Sequence, residues 1–152
     1  MENFPRLLDL TSDIDLAFCR EIYEFHGISA GTYDFDYADS LSVLAGCSGK
    51  SGSVCFRSLS ILCAGYGLRD SVNRARRIGR FDLMRGLPTA GGGEAGACFD
   101  YFENWCREVG VDFIEFSIDV GLGRVSARDR WMRSFGFKEG FRYYVKDLSH
   151  VF

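Results

Sequence analysis

The sequence predicts a single α/β domain, with α+β character, in which helices flank a mixed, mostly antiparallel sheet. Short apolar segments typical of strands alternate with segments whose apolar residues recur every three or four positions. A glycine-rich stretch from Pro88 to Gly93 leads into one of these amphipathic helices and then into a long strand. The 152 residues show no internal repeat and no linker, so we expect one domain over residues 1–152.

The amino-terminal part predicts a strand, a helix and an acidic loop. Arg6–Leu10 has the composition of a short strand, and residues 11–27 follow as a helix. Ser12 and Asp15 have the spacing of a capping box. One face of this helix collects four apolar side chains: Ile14, Phe18, Ile22 and Phe25. Residues 28–40 then form a loop or broken helix that is both acidic and aromatic.

The rest of the chain supplies the sheet and two more helices. Helices are expected over Ala95–Val109 and near Val125–Phe135. Residues 66–78 are polar and basic and predict a connection or a short helix. The predicted strands are 41–46, 53–65, 79–86, 111–120 and 141–148.

Composition and charge exclude several classes of protein. A hydrophobic content of 47% and an aromatic content of 15% argue against disorder. The net charge of −3 does not favour general nucleic-acid binding. No apolar run approaches the roughly 18 residues needed to cross a bilayer, and no signal-peptide pattern opens the sequence. We therefore expect a cytoplasmic protein without a membrane partner.

The cysteines raise the question of a metal site or a disulfide. The sequence has six cysteines and two histidines, His26 and His150, and no two cysteines form a C-x-x-C pair. Because zinc sites usually need closely spaced ligand pairs, we expect no metal. In a reducing compartment these cysteines are most simply small buried hydrophobes. A nucleophilic cysteine partnered by His26 is an alternative, although no spacing singles one out.

The glycine loop predicts an anion site. The first amides of a helix lack partners inside the helix, and the aligned peptide dipoles place partial positive charge there. Gly91, Gly92 and Gly93 carry no Cβ, and Ala95 and Gly96 keep the first turn small, so a phosphate could approach these amides closely. This interpretation requires the Glu94 side chain to point away from the anion. The alternative is a mobile surface loop without a ligand.

This loop and the segments after it resemble the GNAT superfamily of N-acyltransferases. The family's loop has the pattern [Q/R]xxGx[G/A], opens a helix and holds the pyrophosphate of coenzyme A. The hexapeptide in register is Ala90–Ala95, in which Gly93 and Ala95 match. The segment "VDFIEFSIDV…ARDRWMRSFGFKEG" also resembles the strand–helix–strand ending of the family. The resemblance implies the family's fold and an acyl-CoA, such as acetyl-CoA, as co-substrate.

Two positions depart from the family pattern. Ala90 stands where glutamine or arginine is usual, and we expect Arg85 or the cluster Arg74–Arg80 to supply the missing contact to the cofactor. Trp131 and Met132 occupy the position of the tyrosine that often acts as general acid. A catalytically inactive GNAT-like binding module is therefore one alternative reading of the chain.

A narrower resemblance is to the acyl-homoserine-lactone synthases, which share the fold and use S-adenosylmethionine with an acyl carrier protein. Arg57 and the pair Arg80–Phe81 match their pattern, whereas Arg77 replaces their glutamate and their amino-terminal tryptophan is absent. Both resemblances imply that the acidic loop, with Asp34, Asp36 and Asp39, binds the amine-bearing substrate. Carboxylates among aromatic rings would suit a cationic group. The alternative is a solvated turn.

The predicted strand Val111–Val120 carries polar side chains at alternate positions, including Glu115 and Ser117. A polar strand face meets either water or a ligand groove, and we expect Ser117 to contact substrate. Acyl transfer to an amine needs a base for the amine and an acid for the leaving thiolate. The candidate bases are Glu115 and Asp82, and the candidate acids are Tyr143 and Tyr144.

The arginines between Arg69 and Arg80 form a basic run. It predicts a solvated helix face, a site for the cofactor's phosphates, or a contact for nucleic acid or for an acidic acyl carrier protein. We expect an N-acyltransferase that acts on a small-molecule or protein amine, with a homodimer as a further possibility.

Overall fold

A computed structural model of the chain describes residues 3–29, 52–69, 76–116 and 125–138. The chain forms two compact units, Met1–Gly121 and Leu122–Phe152. The strands are β1 (Arg6–Leu7), β2 (Ser53–Arg57), β3 (Ile61–Arg69), β4 (Arg77–Gly86) and β5 (Phe113–Phe116). The helices are α1 (Asp13–Ser29), α2 (Gly92–Glu108) and α3 (Val125–Ser134).

The five strands form one sheet in the order β1-β2-β3-β4-β5. The first four are antiparallel to their neighbours, and β5 pairs parallel to β4. Helix α2 connects the two parallel strands, as such a crossover requires. This arrangement confirms the predicted α/β class with a mixed, mostly antiparallel sheet.

One face of the sheet packs against α1. Its core contains Leu8 and four residues of the helix on one side, and Cys55, Leu62 and Ala64 of the sheet on the other. The buried helix residues are Phe18, Cys19, Ile22 and Tyr23. The predicted apolar face was wrong at its two ends, because Ile14 is 70% exposed and Phe25 is 39% exposed.

The buried carboxylate Asp15 explains why the helix is rotated from that expectation. Arg57 donates to Asp15 at 2.9 Å, and Arg6 donates two hydrogen bonds of 2.8 Å to the same carboxylate. The Asp9 amide also donates to it at 2.8 Å, so Asp15 does not complete the predicted capping box with Ser12. Hydrogen bonds from Arg6 lower the pKa of Asp15 to about 2. Arg57, matched above to a synthase arginine, is thus a buried partner of Asp15 and lies 3.7 Å from the centre of the Phe18 ring.

The opposite face of the sheet packs against α2 through aromatic rings. Phe81 of β4 lies centrally, with its ring centre 4.6 Å from that of Phe102 and 5.5 Å from that of Phe99. Two glycines let the helix approach the sheet closely. A Cβ on Gly65 would collide with the Phe102 ring, and a Cβ on Gly79 would lie 2.6 Å from the sulfur of Cys106. Burial of these rings and thiols fixes α2 against β3 and β4.

Two predictions about the strands were wrong. The predicted strand 53–65 is a hairpin, since β2 ends at Arg57 and β3 begins at Ile61, with a turn at residues 58–60. The predicted connection 66–78 contributes to strands at both of its ends, in Tyr66–Arg69 and in Arg77–Ile78. The solvated-helix reading of the basic run fails for Arg77–Arg80, which belong to β4. Tertiary pairing overrides the weak strand signal of a polar, glycine-containing segment.

The second unit contains α3, which confirms the helix predicted near Val125–Phe135. The helix ends at Ser134, and Gly136 follows two residues later with a φ of 86°, a backbone conformation that glycine adopts without strain. The rings of Trp131 and Phe135 meet edge to face with their centres 5.2 Å apart. Residues 139–152, including the predicted last strand, lie outside the described part.

Candidate functional site

The turn from β4 to α2 places the glycines at the start of the helix. Gly91 is the N-cap, with φ −85° and ψ 160°, and α2 begins at Gly92 instead of at the predicted Ala95. Gly92 and Gly93 therefore belong to the first helical turn, followed by Glu94, Ala95 and Gly96. The helix is anchored from Ala95 onward, because Ala95 is buried against the core. The amides at its start are thus held by a rigid element.

The three exposed glycines leave open space around the helix start. A Cβ added at Gly91, Gly92 or Gly93 would meet no atom within 4 Å. None of the three has a positive φ, so neither packing nor backbone conformation requires glycine there. Gly65 and Gly79, by contrast, are needed for close packing inside the domain. Room at Gly91–Gly93 is what close approach of an external group would need.

Glu94 is turned towards the β2–β3 turn and the N-cap. Its carboxylate accepts hydrogen bonds from the Ser58 hydroxyl at 2.7 Å, the Ser60 amide at 2.8 Å and the Gly91 amide at 3.2 Å. Burial would raise the pKa of Glu94, but these hydrogen bonds outweigh it and hold that pKa below its usual range. The Gly91 amide is therefore occupied by Glu94. The amides of Gly92 and Gly93, at helix positions without an intrahelical acceptor, have no partner among the described residues.

A polar group crosses three strands on the sheet face that α1 also covers. Tyr66 of β3 is the register partner of Arg80 of β4, and Arg80 is the register partner of Glu115 of β5. Tyr66 follows the buried Ala64 by two residues, so these side chains share the face of the α1 core. We call Tyr66, Arg80 and Glu115 the cross-strand triad.

Arg80 lies at the centre of the triad. Arg80 Nη2 donates to Glu115 Oε2 at 3.0 Å, and Tyr66 faces Arg80 across the pairing of β3 with β4. The interactions with Tyr66, first, and with Glu115 raise the pKa of Arg80. The Arg80 and Glu115 side chains are 37% and 28% exposed, respectively. The predicted base Glu115 is therefore accessible and sits beside a permanent cation.

The triad lies next to an irregularity in β4. In the described residues, pairing of β4 with β5 ends at Phe81 and Phe116. At the same point Asp82 is skipped in the pairing with β3, since Ala64 opposes Leu83 and Gly65 opposes Phe81. Such a bulge bends the strand and increases its twist. Asp82, the second predicted base, is exposed at this bend.

Arg85, the predicted replacement for the missing contact to the cofactor, is paired with Leu62 and so lies on the α1 face of the sheet. Its guanidinium donates to the Met84 carbonyl at 3.3 Å. It is close enough to His26 to help lower that residue's pKa, which burial lowers most. His26 Nε2 is 2.9 Å from the carbonyl oxygen of Gly86.

The basic run is engaged with the sheet in its described part. The Arg76 guanidinium lies 3.6 Å from the centre of the Phe113 ring. The Arg77 side chain donates to the Val109 carbonyl, and the backbone amide of Arg77 donates to the Asp112 carboxylate at 2.9 Å. Arg80 belongs to the triad. The contacts of Arg76 and Arg77 link β4 to β5 and to the end of α2.

Several predicted site residues lie outside the described part of the chain. These are the predicted substrate residues Asp34, Asp36, Asp39 and Ser117 and the predicted acids Tyr143 and Tyr144. They remain predictions. Tyr66 was not among the predicted site residues because residues 66–78 were assigned to a connection or a short helix. Pairing 61–69 with 77–86 as a hairpin would have placed Tyr66 opposite Arg80.

The described cysteines confirm the interpretation of small buried hydrophobes. Five of them, Cys19, Cys55, Cys63, Cys98 and Cys106, are buried and unpaired by disulfides. Burial raises the pKa of Cys19 and of Cys106 to about 11. Within the described ranges no group of three or more His, Cys, Asp or Glu side chains could hold a metal ion. No helix in those ranges is long and apolar enough to cross a membrane.

Several solved structures with a similar fold are acetyltransferases, and another is a transcriptional regulator from Bacillus halodurans C-125. A putative acetyltransferase from Arthrobacter sp. FB24 is 17% identical with a TM-score of 0.71, and 97% of each chain is covered. A GNAT family acetyltransferase from Staphylococcus aureus is 11% identical with a TM-score of 0.69, over 97% of this chain and 100% of that one. A predicted acetyltransferase from Clostridium acetobutylicum, solved with acetyl-CoA, is 15% identical with a TM-score of 0.68, over 95% of each chain.

No protein-family model and no curated protein matches the sequence. The likeness therefore rests on three-dimensional structure, and at these identities it concerns the fold. It agrees with the fold that the resemblance found in the sequence implies. The chain has the fold of the GNAT acetyltransferases.

Proposed function

We propose that this protein is an N-acyltransferase that moves an acyl group, acetyl in the simplest case, from coenzyme A to an amine. The observation that carries the proposal is the start of α2. Two helix amides, those of Gly92 and Gly93, lack partners among the described residues and stand where a Cβ would meet nothing within 4 Å. The sequence resemblance to the GNAT superfamily implies that the pyrophosphate of coenzyme A binds at this turn.

The residues present fit a bound pyrophosphate. Gly92 and Gly93 would donate to its oxygens, and the partial positive charge of the helix start would favour its negative charge. Glu94 is held by Ser58, Ser60 and the N-cap, which keeps its carboxylate on the β2–β3 turn. The acyl-CoA supplies an activated thioester carbonyl when bound. Ala95, Gly96 and Arg85 remain proposed as further cofactor-binding residues.

Glu115 is the proposed base for the amine. It is partly exposed, lies on β5 next to the strand that leads into the glycine turn, and carries a carboxylate that could accept the proton directly or through water. Asp82, exposed at the bulge four residues before β4 ends at Gly86, is the alternative base. Much of the acceleration would come from holding amine and thioester in line, which rigid strands favour.

A thermal-shift assay tests the proposal. Acetyl-CoA and CoA should raise the melting temperature of the full chain, whereas S-adenosylmethionine should not. Dephospho-CoA, which keeps the pyrophosphate, should stabilise the protein, and pantetheine, which lacks it, should not. Absence of any shift with CoA would contradict the proposal and favour a binding module without this cofactor. A shift with S-adenosylmethionine alone would favour a synthase-like enzyme.

A further inference from the structure

The cross-strand triad bears on the identity of the amine. Arg80 and Glu115 stand side by side on neighbouring strands, with their charged groups 3.0 Å apart and both partly exposed. Glu115, as the proposed base, would face the amine of the acceptor. A cation is therefore fixed next to the place where the reacting amine would bind.

This cation changes which amines fit. A simple alkylamine or a polyamine arrives positively charged and meets a carboxylate that Arg80 already neutralises. An additional positive group on the substrate would also be repelled by Arg80. An amine with a carboxylate on the neighbouring carbon presents both charges, and it can place its ammonium on Glu115 and its carboxylate on Arg80.

The geometry of Arg80 suits binding of a substrate carboxylate. Arginine has five donors in a planar fork and forms bidentate contacts with carboxylates. The contact with Glu115 uses Nη2 of that fork, and Tyr66 faces Arg80 from the neighbouring strand β3. The arginine is thereby positioned before a substrate binds, which reduces the ordering that binding would require.

We infer that the acceptor is an α-amino acid or a close analogue, with its carboxylate bound by Arg80 and its amine at Glu115. This inference rests on the proposed function, because it assigns the substrate class of the same site. Tyr66 and Arg80 are specificity residues in this scheme. Arg80 thus selects substrates that carry an acidic group beside the reacting amine.

The test compares each common α-amino acid with its α-carboxamide as acceptor, following release of CoA thiol from acetyl-CoA. We expect at least one amino acid to exceed its amide in kcat/KM by about tenfold or more, since a charge-assisted pair is lost in the amide. Arg80→Ala should bring the ratio of kcat/KM for the amino acid to that for its amide close to one, whereas Arg80→Lys should keep part of the preference. Arg107→Ala, which changes an exposed arginine at the far end of α2, should leave the preference unchanged.

The outcomes separate this inference from the proposed function. If acetyl-CoA stabilises the protein but amides react as well as amino acids, the acceptor class is wrong and the transferase proposal stands. The same holds if acetyl-CoA binds and no amino acid reacts, or if Arg80→Ala keeps the preference. If acetyl-CoA does not bind, the proposed function fails and this inference fails with it. Binding can also be compared without turnover. N-acetylamino acids should raise the melting temperature of the protein more than their amides do.

Discussion

Replacing Gly93 by aspartate should abolish stabilisation by CoA without harming the fold. The position is exposed in the first turn of α2, its φ is not positive, and a Cβ there meets nothing within 4 Å. Glycine is a poor helix former, and a negative charge in the first turn interacts favourably with the helix dipole. The unliganded variant should therefore be as stable as the parent or more stable, by up to about 1 kcal/mol.

The effect on the bound state should be large. A carboxylate about 4 Å from a phosphate charge opposes binding by roughly 4 kcal/mol at an effective dielectric constant near 20, which weakens binding more than a hundredfold. CoA at 100 times its Kd stabilises the parent by about 2.7 kcal/mol. For a chain of this size that corresponds to a rise in Tm of roughly 5–10 °C. The variant should lose this rise.

Differential scanning fluorimetry with and without CoA measures both the Tm of the unliganded variant and the rise in Tm that CoA causes. Gly93→Asn has nearly the same volume without the charge and should lose less of the shift. Arg107→Gln alters the net charge by the same amount at the other end of α2 and should keep all of it. A Gly93→Asp protein that folds and still shows the full shift would refute the placement of the pyrophosphate at these amides.

Three further substitutions probe the base and two structural carboxylates. Glu115→Gln should lower kcat by about 10²–10⁴-fold with the CoA-induced shift intact, and an unchanged kcat would argue for another base. Asp15→Asn should lower the free energy of unfolding, measured in urea, by about 3 kcal/mol because it leaves the buried Arg57 and the partly buried Arg6 without their anion. In the parent, Asp15 has a folded pKa of about 2 against an ordinary value of 3.8. Its contribution of about 2 kcal/mol is therefore present above pH 4 and lost as the pH falls towards 2, and a flat profile would contradict this. Glu94→Gln should destabilise the protein by about 1–3 kcal/mol. Because hydrogen bonds lower the pKa of Glu94, this difference should be full near pH 7 and shrink in acid as the parent carboxylate is protonated.

The order of elements around the glycine turn could be predicted from the sequence because its signals are local. The apolar repeat in α2 and the alternation of polar and apolar residues in β5 need no knowledge of distant partners. Glu115 was predicted as a candidate base in this way, and that role stays a prediction. The start of α2 was predicted three residues too late. Glu94 accepts a hydrogen bond from the N-cap amide of Gly91, but its carboxylate is held in that position by Ser58 and Ser60, which are distant in sequence.

The errors occurred where distant residues decide the local structure. The turn at residues 58–60 has neither glycine nor proline, and it is held by the carboxylate of Glu94 from the start of α2. Asp15 has the spacing of a capping residue, yet Arg57, 42 residues away, draws it into the interior. Gly65 and Gly79 weaken the strand signal of their segments and are required because α2 presses against them. Such contacts cannot be read from spacing within one segment.

The position of Glu94 has a spectroscopic consequence. Its carboxylate accepts from the Ser60 amide, which lies 34 residues earlier, and from the N-cap amide of α2. A molecule seated on the first turn of α2 would perturb this carboxylate and, through it, the proton resonance of the Ser60 amide. That resonance can report occupancy of the helix start from a place that no cofactor atom needs to touch.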